Sequence, residues 1–442
     1  MTALRIVMAS EARATVLSRA PLLDAPLPEA IRASILGTFG APLTAAEVVT
    51  RIIDDVRCEG DAAVRRYSQR FDGSADAPME VMSEEFDAAE MEVPEALVRV
   101  IEFMAGRVRT FHSMQIDHAP TSFQRDGLGM VVRPIGRAGV YMTGNIAVLP
   151  SSVVHTAVPA VVAGVPEVIG VTAARPDGSV HPLKLVAARR AGVQRVFRAS
   201  GAQALAALAF GTETIPRVDK IFGPGNLFVT LAKQQLYGQV GIDALYGPTE
   251  TVVLADDSAA PDLCAADLLA QAEHDVLARP VLITTSEAHA RAVAEAVEAQ
   301  LATLERGAIA RAAIERGGAV VAADIDEALA LANEFAPEHL CLLTRDAASL
   351  VPRIQDAGGI FVGDDSPEVL GDYVAGPSHV MPTGGSARFA SPLSVMDFLK
   401  VTSTIALTAD DLRTIGPAAA MLARAEGLTA HARSIELRLE GH

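Results

Sequence analysis

Four short stretches of the chain concentrate side chains able to hold a metal ion or move a proton. In Gln271-Ala272-Glu273-His274 an amide oxygen and an imidazole stand three residues apart, on one face of a helix whose start Pro261 marks. That pair can grip a divalent cation, or it can simply end a helix with polar groups. Ala336-Pro337-Glu338-His339-Leu340 sets a carboxyl beside an imidazole where a helix hands over to a strand. The two can divide proton work between them, or they can be a helix C-cap and a solvated acid. Gly371-Asp372-Tyr373-Val374-Ala375-Gly376-Pro377-Ser378-His379 reads as a loop, pinned by glycines and a proline, that presents Asp372 and His379. Further on, His431 follows Glu426 by five positions. Gln271, His274, Asp372 and His431 together form a donor set that suits zinc, with neutral imidazoles, one carboxylate and an amide weak enough to leave room for a substrate.

Other chemistries are excluded or left open. The only lysines are Lys184, Lys220, Lys233 and Lys400, and no G-x-x-x-x-G-K-[ST] occurs, so there is no P-loop. Gly223-Pro224-Gly225-Asn226 follows a strand and opens a helix, as a phosphate loop does, but Val229 takes the third glycine's place. It reads equally as an ordinary strand–helix turn. Cys341 lies between Leu340 and Leu342 in an apolar run, where a thiol is buried and un-ionised rather than nucleophilic.

The elements that must position these residues alternate. Strand-like runs at Val168–Thr172, Arg195–Arg198, Lys220–Phe222, Thr251–Ala255, Val281–Thr284, Ala319–Ala322, Cys341–Leu343 and Gly359–Val362 are separated by amphipathic helices such as His181–Ala191, Ala202–Phe210, Leu227–Leu236 and Glu287–Leu304. Such alternation gives mostly parallel sheet covered on both faces, here in two α/β units. Residues 1–125 read as helical, with apolar residues at helical spacing in Ala45–Arg57 and Pro94–Met114. Residues 126–260 and 261–385 form the two α/β domains, and 386–442 a helical C-terminal segment in which Pro417 marks a kink or break.

With 442 residues, half of them hydrophobic, the chain has large cores and is neither disordered nor fibrous. A formal net charge of −17 without a basic stripe argues against nucleic-acid partners. The uncharged stretch 138–166 is long enough to span a bilayer, but its polar residues and its internal prolines, Pro150 and Pro159, make it a buried core segment. Three scattered cysteines without C-x-x-C, and an N-terminus without an apolar secretory core, predict a reducing, cytoplasmic setting. The helical tail is of a kind that packs on a neighbour, so a homodimer is expected.

Taken together, the sequence resembles the histidinol dehydrogenase family over nearly its whole length. The resemblance is carried by GAQALAALAFGTETIPRVDKIFGPGN (201–226), DALYGPTETVVLAD (243–256), DLLAQAEHD (267–275), APEHL (336–340), SPEVLGDYVAGPSHVMPTGGSARF (366–389) and EGLTAHARSIELR (426–438). It implies two incomplete Rossmann-like domains, a homodimer, and two successive NAD-dependent oxidations of L-histidinol to L-histidine through an aldehyde. It further implies zinc on Gln271, His274 and Asp372, with His431 supplied by the other chain, and Glu338 and His339 as the acid–base pair. Thr249, where the family usually has Ser, would contact substrate with His379 and Glu426; Tyr141, Gln203 and Asn226 would line NAD. The chain departs from the usual family text at Thr143-Gly144-Asn145, His155-Thr156, Tyr246 and Pro392. Two other readings use the same residues: oxidation of another small polar alcohol such as a sulfonated diol, and a zinc hydrolase needing no nucleotide.

Overall fold

The computed structural model describes residues 3–19, 27–73, 77–143 and 148–441. It divides into two units, Met1–Asp117 with Ile135–Phe398, and His118–Pro134 with Leu399–His442. The strands among the described residues are β1 (Ile6–Met8), β2 (Phe123–Arg125), β3 (Leu128–Pro134), β4 (Arg137–Tyr141), β5 (Glu167–Thr172), β6 (Arg195–Arg198), β7 (Lys220–Phe222), β8 (Gly241–Ile242), β9 (Glu250–Ala255), β10 (Arg279–Thr284), β11 (Gly318–Val321), β12 (His339–Leu343), β13 (Gly359–Val362) and β14 (Leu399–Ile405).

The first unit holds two parallel sheets, ordered β6-β5-β4-β7-β8 and β1-β11-β10-β9-β12-β13. Every residue of β9 and of β12 is buried, as a strand covered on both faces requires. In each sheet the chain builds outward in one direction and then restarts on the other side. The reversal falls between β4 and β7 in the first sheet and between β9 and β12 in the second. Such reversals open the crevices where open α/β sheets receive ligands. Both sheets are incomplete relatives of the Rossmann fold, as expected.

The N-terminal stretch is mainly helical. Helix Ala45–Glu59 starts on a Thr44–Glu47 capping box and buries Val48, Val49, Ile52, Ile53 and Val56 against helix Gly201–Phe210. Its first residues differ from the helical expectation. Ile6–Met8 pairs with β11 at the edge of the second sheet, because a three-residue apolar run is too short to show periodicity and pairing decides its state.

The second unit contains the antiparallel sheet β14-β3-β2 and two helices, Ala409–Ala425 and Thr429–Glu440, packed through Ala420, Ala423 and Ala432. The C-terminal segment is thus mainly helical, but Leu399–Ile405 is a strand, consistent with its β-branched Val-Thr-Ser-Thr-Ile text. Helix Ala409–Ala425 runs through Pro417 rather than ending there, while packing on its neighbour. No helix among the described residues is long and apolar enough to cross a membrane. The uncharged stretch becomes β4 and helix Pro150–Val162, whose Ser151, Ser152, His155 and Thr156 are buried within the first unit.

Candidate active site

The amino ends of β9 and β12 lie side by side, with His339 in register with Thr251. That register sets Glu338 opposite Glu250 and brings Thr249, just before β9, beside it. Glu338 Oε2 accepts the Thr249 hydroxyl at 2.7 Å and the Glu250 N–H at 3.1 Å. His339 Nδ1 donates to the Glu250 carbonyl at 3.1 Å, which leaves Nε2 facing Asp372 Oδ1 at 3.7 Å, beyond hydrogen-bond reach. Gln271, near the end of helix Pro261–Ala272, touches the Thr249 hydroxyl through Oε1 at 2.7 Å. Asp372 sits in a short helix, Glu368–Tyr373, and not in the loop its glycines suggest; its carbonyl accepts from His379 Nδ1 at 2.8 Å. Gln271, Thr249, Glu338, His339, Asp372 and His379 therefore meet at one edge of the second sheet. It is the amino edge, opposite to the edge where α/β sheets usually bind ligands.

Burial dominates the electrostatics. It pushes the Glu338 carboxyl up to about 7, against the pull of His339 and Thr249. For His339, burial opposes the charge, but Glu338 and then Asp372 and Glu368 outweigh it and lift the ring to about 10. The carboxylates thus favour the protonated ring, a bias that a second cation among them would weaken. Glu368 is fully buried and also raised to about 7 by burial. It accepts the Thr251 hydroxyl at 2.6 Å and the Cys341 thiol at 3.4 Å, and its Oε1 has no partner. Cys341 is buried, and burial with Glu368 pushes its thiol well up, so it is no nucleophile.

Whether zinc suits these residues turns on one amide. Thr249 has a single hydroxyl proton yet contacts two oxygens, Glu338 Oε2 and Gln271 Oε1, while Gln271 Nε2 is buried without a partner. Turning the Gln271 amide over resolves both faults: Nε2 donates to Thr249, Thr249 donates to Glu338, and Oε1 is freed. A buried carbonyl oxygen then needs a partner, as a metal ligand would. The excess of carboxylates around His339 is likewise what a divalent cation would compensate. Among the described residues no three His, Cys, Asp or Glu side chains are already arranged to hold a metal ion. His274 follows the helix end, exposed. Glu426 and His431 are exposed residues of the second unit, either side of the turn at Gly427.

The other predicted cluster lies at the first sheet's reversal. Tyr141 ends β4, and its hydroxyl accepts the Gly201 N–H at 3.1 Å at the start of helix Gly201–Phe210. Gln203 is buried beside it with Nε2 unpaired. Gly223 follows β7 at φ +109°, where a Cβ would sit 2.7 Å from the Tyr141 carbonyl, so the close strand-end packing requires glycine. Asn226 caps helix Leu227–Leu236 by accepting from Phe228 and Val229 N–H, the role of a strand–helix turn. Thr143 lies within the described residues, whereas Gly144 and Asn145 fall outside them.

One residue of the site was not singled out by sequence reasoning, and a second was noted only for lying in the uncharged stretch. Glu368 carries no sequence signal of its own, and only the fold buries it. His155 lies on helix Pro150–Val162, wholly buried, and stacks on His379 with ring centroids 4.3 Å apart. Its place in an uncharged stretch was the one available signal.

Fold and site together define an α/β protein with two incomplete Rossmann-like sheets and a buried glutamate–histidine pair at a sheet reversal. The family model described as histidinol dehydrogenase matches residues 41–439. The chain is 52% identical over 441 residues to a histidinol dehydrogenase of Deinococcus radiodurans, covering 99% of this chain and 100% of that protein. It is 50% identical over 397 residues to one of Rhizobium meliloti, covering 89% and 91%. A crystal structure of histidinol dehydrogenase from Elizabethkingia anophelis superposes with a TM-score of 0.89 at 32% identity, covering 100% of this chain and 99% of that one. The chain belongs to the histidinol dehydrogenase family.

Proposed function

We propose that the protein oxidises L-histidinol to L-histidine in two NAD-dependent steps through the aldehyde, with one zinc ion per site, as a cytoplasmic homodimer. The observation that carries this reading is the meeting of Thr249, Gln271, Glu338, His339, Asp372 and His379 around one buried edge. Gln271, His274 and Asp372 would hold the zinc with His431 of the partner subunit, and Glu426 of the partner subunit would face the cationic substrate. Exposed apolar side chains of the second unit, Ile405 and Met421 among them, suit burial against that partner. Free cysteines and the absence of any membrane-crossing helix among the described residues fit the cytoplasm. Tyr141, Gln203 and Asn226 would line the nucleotide at the first sheet's reversal.

Zinc, when bound, supplies a fixed positive centre that orients the amine and imidazole of the substrate; NAD, when bound, takes up hydride. The remaining chemistry belongs to the chain. His339 takes the alcohol proton at Nε2, because Nδ1 is committed to the Glu250 carbonyl. Hydride leaves the carbon that bears the alcohol oxygen, and the C=O bond of the aldehyde forms. Glu338, raised to about 7 and so matched to neutral pH, then takes a proton from water as its oxygen adds to the aldehyde. Loss of a second hydride from the hydrate, together with its two hydroxyl protons, leaves the carboxylate. Thr249 and the Glu250 N–H fix one Glu338 oxygen, which leaves the other for the water.

A steady-state assay with histidinol and NAD, with and without chelator, tests this. Two NADH per histidine, lost on chelation, is the expected result. Release of aldehyde alone, turnover without NAD, or a faster rate on a sulfonated diol would overturn the assignment.

A further inference from the structure

Helix Pro150–Val162 follows the nucleotide end of β4, yet its His155 reaches the loop that carries His379. The two rings lie parallel within 5°, their centroids 4.3 Å apart. The backbone N–H of His379 donates to His155 Nδ1 at 3.2 Å, and His155 Nε2 lies 3.1 Å from the Tyr373 carbonyl. Ser378 Oγ donates to the His155 carbonyl at 3.0 Å, so the loop is tied to the helix at three points.

These partners fix both tautomers without any hydrogen being seen, since a backbone N–H only donates and a carbonyl only accepts. His155 carries its proton on Nε2. His379 carries its proton on Nδ1, against the Asp372 carbonyl at 2.8 Å, which leaves Nε2 a bare lone pair. No described residue satisfies that nitrogen.

Resting on the amino-alcohol reading above, we propose that His155 is a positioning residue that locks His379 as a hydrogen-bond acceptor, so that the site takes a substrate presenting an N–H donor there, that of its amine, and rejects an anionic group. The stack sets the plane of the His379 ring, the Nδ1 acceptor holds the loop backbone, and the Tyr373 contact prevents His155 from rotating. An imidazole able to flip would present either a donor or an acceptor and lose the distinction.

The test compares histidinol with its des-amino alcohol in the zinc- and NAD-loaded enzyme and in His155→Phe, which keeps the stack but loses both hydrogen bonds. Loss of an outer partner typically costs about 10–100-fold. A fall of that size in kcat/KM for histidinol, mostly in KM, is expected with little change for the des-amino alcohol. In a His379→Ala background, His155→Phe should add no further loss. Equal losses for both alcohols, or an undiminished loss without His379, would overturn the proposal. Nitrogen-15 spectra of histidine-labelled wild-type protein read the tautomers directly. Nε2–H on His155 and Nδ1–H on His379 are expected, and the reverse on either ring refutes the lock even if His155→Phe fails to fold. Should wild-type enzyme leave histidinol untouched, the substrate reading fails while the spectra still decide the positioning.

Discussion

Replacing Glu338 by Gln separates the two oxidation steps. The variant keeps an oxygen for the Thr249 hydroxyl and the Glu250 N–H, now 2.7 and 3.1 Å from Oε2, so the local packing is preserved while the base is removed. General-base assistance is typically worth about 10²–10⁴-fold, or about 3–5 kcal/mol of barrier. That loss should fall on the aldehyde-to-acid step, with alcohol oxidation through His339 slowed far less. Wild-type aldehyde oxidation should rise as pH passes about 7, where Glu338 loses its proton, and the variant should show no such limb. Stability moves the other way. A carboxyl raised from 4.5 to about 7 in the fold binds its proton more tightly there than in the unfolded chain. Its contribution is present below about 4.5 and is lost as pH climbs to about 7, a difference of at most about 3 kcal/mol. Metal-free Glu338→Gln should therefore be more resistant to urea than wild type at pH 8 and nearly equal at pH 4.5. Single-turnover NADH formation from histidinol and from the aldehyde, beside urea titrations at both pH values, makes the measurement. Equal slowing of both steps, or a less stable variant at pH 8, would refute the assignment of Glu338 as a buried base.

His274→Ala should lose zinc and activity together, read by metal analysis and the NADH assay; wild-type zinc content would remove His274 from the ligand set. Thr249→Val should leave both the Gln271 amide and the Glu338 carboxyl short of a partner and lower kcat/KM about tenfold or more, whereas Thr249→Ser should stay close to wild type, since one buried hydrogen bond to a charged group is worth about 1.5–3 kcal/mol. Chelation should abolish turnover and leave far-UV circular dichroism nearly unchanged, because both sheets have apolar cores of their own; unfolding on chelation would make the metal structural. Lys233→Met should cost about 3–5 kcal/mol in thermal or urea unfolding by stranding Asp243, its partner in a pair only 1% and 2% exposed.

Much of the architecture was legible because its signals are local. Runs such as Thr251–Ala255 and Gly359–Val362 read as strands and became β9 and β13, with one residue added at the start of β9. Elements whose state depends on a partner were not legible. Ile6–Met8 is a strand because β11 offers it an edge, and Leu399–Ile405 because β3 does. Asp372 reads as a loop residue from its glycines, but the chain turns helical from Glu368, where Leu370 and Val374 close the hydrogen bonds.

By itself the sequence determined the alternating α/β order, the stretches that carry the candidate site's polar groups, and, through long motifs in order, the family. Residue type and spacing fix these, and they survive in any conformation. Tertiary structure alone decided that Glu338 meets Thr249 at the amino end of two neighbouring strands, that Glu368 is a buried acid rather than a surface one, and that His155 holds His379. Strand register and helix docking set those distances across gaps of 89, 117 and 224 residues, and the low dielectric they create shifts the carboxyls' affinity for protons.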